Sequence, residues 1–207
     1  MKTIEKFINY RLLVLLFATF AISSCSDDDD APEEENDEEV ITNVTLIFTN
    51  DADPNDVVRA TAVDPDGEGI AELAEQDEIT LSADTQYTLT FEILNALDPT
   101  DVEDIGDEIS DEDDEHQIFF SFTTDAFDSP GGNGNIDTAS DPINYNDQDE
   151  NGNPVGLSTS WTTPAASTTT GGIFTVRLQH QPDLKSATTG ANDGDSDFDL
   201  DFVLNIQ

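Results

Sequence analysis

One cysteine, two histidines and six basic residues are all that the chain has, in 207 positions, for the chemistries that depend on them. A single cysteine forms no internal disulfide, so stability rests on packed apolar side chains or on bound ions. Six lysines and arginines against 47 aspartates and glutamates give a formal net charge of −41. Such a field repels phosphate backbones and anionic headgroups, which excludes nucleic acid as a partner. It suits cations, basic partners and saline surroundings, where screening confines self-repulsion to about 10 Å or less. The chain also lacks G-x-S-x-G, H-E-x-x-H and a glycine-rich phosphate loop after a strand. No catalytic constellation is present, and the expectation is of a protein that is not an enzyme.

The longest apolar run, LLVLLFATFAI at residues 12–22, follows Lys2, Lys6 and Arg11 and has eleven residues. That is short of the roughly 20 needed for a membrane-spanning helix and has the build of a secretory signal peptide, residues 1–24. It ends in Ile22-Ser23-Ser24-Cys25, which resembles the lipobox of bacterial lipoproteins. A thiolate is a good nucleophile for alkylation, so Cys25 is expected to carry a lipid anchor. Residues 26–39, SDDDDAPEEENDEE, hold ten acids and no large apolar side chain. They cannot bury surface to offset ordering entropy, so residues 25–39 are expected to form a disordered tether reaching up to about 45 Å. An acidic run directly after a lipidated cysteine resembles the surface-export signal of Bacteroidota-like lipoproteins. The resemblance implies a lipid-anchored protein on the outer face of the outer membrane, with the periplasmic face as the alternative.

Residues 40–207 suffice for one domain with its own core. Val44, Leu46 and Phe48 alternate with polar residues; so do Tyr87, Leu89, Phe91 and Ile93; Ile118, Phe120 and Phe122; and Phe174, Val176 and Leu178. FDLDFVLNI at residues 198–206 is the cleanest window, with Phe198, Leu200, Phe202, Leu204 and Ile206 on one side. Period two with one apolar face predicts half-buried antiparallel strands. Weaker strands are expected at 57–63, 79–83 and 155–161, with Gly, Asn, Asp and Pro clusters between them. Seven or eight strands so spaced predict an all-β, immunoglobulin-like antiparallel sandwich. One segment changes period: Thr100-Asp101-Val102-Glu103 reads as a capping box, and Val102, Ile105 and Ile109 share a helical face. A short acidic helix is expected from 101 to about 114.

His116 opens one predicted strand and His180 closes another, each with the parity of its strand's apolar residues. If the strands run antiparallel, both imidazoles lie at one end of the sandwich. With Glu115 or Asp183 beside them they would make a zinc or copper site, or else cover the edge of the core. Asp147, Asp149 and Asn151, followed by Gly152, match the first half of a calcium loop. Ser158 stands where the bidentate glutamate of an EF-hand belongs, and Asn151-Gly152 serves equally as a hairpin turn.

The segments DEHQIFFSF, NDQDENGNPVGLSTSW, GGIFTVRLQHQPDLK and FDLDFVLNIQ resemble small flavobacterial lipoproteins often described as type 1 periplasmic binding fold superfamily proteins. The E-H-Q and L-x-H-x-P-D segments are the most specific, with Glu115, His116, His180 and Asp183 as the matching polar positions. The resemblance implies capture of a nutrient or metal beside a TonB-dependent outer-membrane receptor. Three binding roles follow: a ligand- or metal-binding lipoprotein serving such a receptor; a calcium-stabilised structural or adhesive module; and an organic-solute binder with Trp161 walling a cleft.

Overall fold

The alternating windows are strands in the computed structural model, which describes residues 39–64, 73–138, 141–166 and 169–207. The chain divides into Met1–Asp37 and Glu38–Gln207. The sequence readings on residues 1–38, Cys25 among them, lie outside the described residues. Among the described residues no helix is long and apolar enough to cross a membrane.

One sheet contains β1 (Asn43–Asn50), β2 (Val57–Val63), β3 (Ala74–Glu75), β5 (Gln86–Asn95), β6 (Glu103–Asp104) and β8 (Ser158–Thr162). Its order is β3-β2-β1-β5-β6, with β8 also paired to β5. The other has the order β4-β10-β9-β7 and comprises β4 (Ile79–Leu81), β10 (Asp195–Ile206), β9 (Gly172–His180) and β7 (His116–Phe122). All pairings are antiparallel except β4 with β10. The alternating apolar residues face inward from both sheets: Val44, Leu46, Phe48 and Leu89 from one, Phe120, Phe174, Val176 and Phe202 from the other, all with no exposed surface. Rings meet across the interior, Phe48 against Phe174 at 5.7 Å and Phe91 against Phe120 at 6.3 Å. The fold is the expected all-β sandwich.

Trp161 lies in this interior, 1% exposed. Its ring stands 4.8 Å from Phe127 and 5.0 Å from Phe174, and its Nε1 donates to Thr159 Oγ1 at 2.8 Å. It is therefore a core residue with a satisfied polar tip, not the wall of a cleft.

The helix is shorter than the capping box suggested. Helix α1 runs only over Ile105–Asp111, capped by Asp104, whose Oδ1 accepts from Asp107 N at 3.3 Å. Glu103 and Asp104 are held in extended pairing with Asn95 and Leu94, and Thr100 turns back to Asp98 through its N–H at 2.9 Å and its hydroxyl at 2.7 Å. Val102 is accordingly exposed, whereas Ile105 and Ile109 are buried. Local capping chemistry lost to strand pairing. Asp104→Ala should cost about 0.5–1 kcal/mol in urea denaturation, the usual worth of an exposed N-cap.

Candidate metal centre

β7 begins with His116 and β9 ends with His180, and antiparallel pairing makes the two residues direct register partners. Both point into the sandwich with their strands' apolar residues and are buried. Their rings stack, with centroids 4.4 Å apart and planes inclined by 8°. The sequence parity thus brings the two histidines together at one end of the fold.

The third member is Glu39, whose side chain is 9% exposed and whose Oε1 lies 3.0 Å from His116 Nε2. The acidic run places residue 39 in the tether, but it belongs to the folded unit Glu38–Gln207. Ile41 is buried and Thr42 N donates to Leu94 O at 2.9 Å, which pins the chain against β5 two to three residues after Glu39. The ligand atoms of Glu39, His116 and His180 lie within 4.8 Å of one another. Nothing in a run of ten acids, Glu39 among them, singled it out, apart from its place two residues before the buried Ile41.

The orientation of His116 decides what the group can do. Its Nδ1 faces the backbone carbonyl of Glu112 at 3.2 Å. A carbonyl only accepts, so Nδ1 carries a proton and the neutral ring presents a lone pair at Nε2. That lone pair faces a carboxylate, and the contact is not aligned as a hydrogen bond; Glu39 Oε2 is also buried with no hydrogen-bond partner. Two acceptors converge on one point, an arrangement that requires a cation between them: a proton or a metal ion. Without a metal, the proton is held. Burial works to lower the His116 pKa, but contact with Glu39, its charge, the Glu112 carbonyl and Asp197 outweigh burial and raise it. Burial likewise works to raise the pKa of Glu39, and His116 and the charge of His180 prevail to lower it.

The donor set fits a metal. An imidazole whose other N–H is fixed on a backbone carbonyl is the usual supporting arrangement of a metal-bound histidine. Donors bonded at about 2.0–2.2 Å to one tetrahedral ion stand about 3.4 Å apart, so closure needs side-chain movement on the order of 1 Å. The stacked rings must also splay, because each lone pair lies in its own ring plane. Glu115 stands at the rim, its Oε2 3.4 Å from His180 Nε2. Asp183, the other expected partner, lies exposed in the turn after β9 at φ 59° and is outside the cluster. Glu108, on α1, has its pKa raised first by partial burial and then by Glu103, Glu39, Glu112 and Asp104. Negative charge gathered in this way round Glu108 raises the local cation concentration.

The residues of the expected calcium loop turn to other partners. Asp147 accepts from the N–H groups of Gly156 and Ser158, both at 2.9 Å. Asp149 Oδ1 accepts from Asn151 N at 2.9 Å and Asn153 N at 2.8 Å, and its Oδ2 from Asn153 Nδ2 at 3.0 Å. Asn151 is exposed, and Gly152 takes a φ of 85° in the turn. The remaining neighbour of Asp149 is the Lys185 ammonium at 3.6 Å, a cation that the chain supplies itself. The segment has the hydrogen bonding of a closed hairpin, with the Asp147 and Asp149 carboxylates each accepting from backbone N–H groups.

No family model, curated protein or solved structure matches the chain.

Proposed function

We propose that the protein is a lipid-anchored surface lipoprotein whose sandwich binds a transition-metal ion, zinc or copper(II), through Glu39, His116 and His180. The observation that carries the reading is the convergence of a carboxylate and an imidazole lone pair, side by side with a second histidine, on a position that requires a cation. Glu115 at the rim provides a further oxygen near His180. The anchor at Cys25 would hold the domain at the outer membrane, where its acidic envelope gathers cations. A TonB-dependent receptor is the partner to which such a protein would deliver its ion.

The test is a calorimetric titration of residues 25–207, with Cys25→Ser, by zinc, copper(II) and calcium in moderate salt. Near-stoichiometric zinc or copper binding is expected, weakened about 100-fold or more in His116→Ala and in His180→Ala. Losses of 10–100-fold already accompany changes to the groups that merely support a ligand. Weak binding unchanged in the double variant would remove the reading and leave a packed histidine pair.

A further inference from the structure

The three members of the centre are nearly closed off from water. The side chains of His116, His180 and Glu39 expose 0%, 4% and 9% of their surface. Taking an ion out of water before it has met a partner is costly, so an ion bound for this centre must trade its water for protein donors in steps. Glu115 is placed to make the first trade. Its side chain is 38% exposed, and its Oε2 stands 3.4 Å from His180 Nε2, so one carboxylate touches both water and the buried pair. Its backbone, by contrast, is fixed. Glu115 N donates to Glu112 O at 3.0 Å, and Glu115 O accepts from Gln181 N at 2.6 Å. Those bonds tie it to the carbonyl that faces His116 Nδ1 and to the residue that follows His180. On either side of it Lys185 holds the chain, through the carbonyls of Asp113 and His116. The carboxylate is therefore carried on a flexible stem from an anchored backbone beside both histidines.

Resting on the metal-binding reading of the histidine pair, we infer that Glu115 is the exchange ligand of the centre: it takes a divalent ion from water, passes it to His180 and receives it back on release. It acts on the rates and is not a member of the filled site, in keeping with its place outside the group of ligand atoms that lie together. Glu39 does not serve this purpose, because its Oε2 is buried and its Oε1 stands against His116. A group that holds the ion best midway lowers the barrier in both directions and leaves the equilibrium nearly where it was. An acceptor with donors of its own would meet the ion at Glu115 without opening the sandwich.

The experiment follows zinc uptake, and zinc release to an excess of chromogenic chelator, by stopped flow in wild type, Glu115→Gln and Asp114→Asn, each as residues 25–207 with Cys25→Ser. Asp114 is exposed in the same turn and controls for the loss of one charge. The bonds that fix residue 115 are made by its backbone, so Glu115→Gln keeps the fold, which circular dichroism checks. Glu115→Gln is expected to slow uptake and release alike, each about 10-fold, with the dissociation constant within about 3-fold of wild type, while Asp114→Asn changes either rate by less than about 2-fold. Rates as in wild type would overturn the assignment and leave the three-residue centre standing. So would faster release with unchanged uptake, the mark of an ordinary ligand, or an equal slowing in Asp114→Asn, the mark of long-range attraction alone. Absence of stoichiometric zinc binding by wild type would instead overturn the centre itself, and the role of Glu115 with it.

Discussion

Replacing Lys185 by methionine is expected to cost about 3–5 kcal/mol, the penalty for removing one partner of a buried ion pair. The Lys185 side chain has no exposed surface and that of Asp149 has 1%. The ammonium donates to the carbonyls of Asp113 and His116 and forms an ion pair with Asp149 Oδ2 at 3.6 Å. Burial pulls its pKa below the ordinary value, against Asp149, Asp113 and Asp147, which favour the proton. Methionine keeps the length of the stem but loses both hydrogen bonds and the ion pair, leaving two carbonyls without this donor and the Asp149 carboxylate without its counter-charge. Urea denaturation of Lys185→Met, Asp149→Asn and the double variant separates the pair from its surroundings. The double variant should cost less than the two singles summed, because the second change removes the charge that the first strands. A loss below about 1 kcal/mol in Lys185→Met would place the ammonium in water. The same lysine ties the turn after His180 to the backbone of His116, so its removal should also loosen the histidine pair.

The strands were legible because period two is set by the pleat alone. Phe198, Leu200, Phe202 and Leu204 are buried as their alternation requires, and so are Phe174, Val176 and Leu178. The neighbours were less legible. Pairing of β8 with β5, or of β4 with β10 in parallel, depends on how two twisted sheets close on one another, and no local pattern records it. α1 shows the same limit from the other side. Thr100 and Glu103 carry the letters of a capping box, but pairing with Asn95 and Leu94 holds Glu103 and Asp104 extended, and the helix starts only at Ile105.

The centre was half legible for the same reasons. Parity and chain direction put His116 and His180 together, since each follows from its own strand. Glu39 was hidden because a carboxylate among ten acids carries no information by type; its role comes from Ile41 and Thr42, whose burial and pairing draw the preceding residues onto the domain. Alternation does not extend back past Phe198, because the pairing with β9 shifts register between Ser196 and Phe198. Asp183 lies near His180 in sequence, yet the chain turns away between them.

Zinc is expected to reverse the pH dependence of the stability that this centre contributes. In the metal-free protein the His116 pKa is raised, with the Glu39 contact and charge overcoming burial, and the Glu39 pKa is lowered, with His116 overcoming burial. A raised histidine contributes fully below its ordinary 6.5, and the contribution is lost as pH climbs through the raised value. A lowered glutamate contributes fully above its ordinary 4.5, and the contribution is lost as pH falls through the lowered value. The ion pair therefore stabilises most between those two ordinary values and fades toward alkaline pH. Glu39→Gln should cost about 1–3 kcal/mol inside that window, the range for leaving a buried polar group uncompensated, and much less at alkaline pH. Zinc requires the neutral ring, so its binding displaces the proton and strengthens as pH rises. At 1,000 times its dissociation constant it adds about 4 kcal/mol, shrinking by about 1.4 kcal/mol per pH unit once His116 is protonated. Unfolding followed from pH 5 to 9, with and without zinc, should give contributions of opposite slope that both vanish in His116→Ala. A zinc increment that is flat with pH and survives in His116→Ala would move the ion from the histidine pair to the exposed carboxylates.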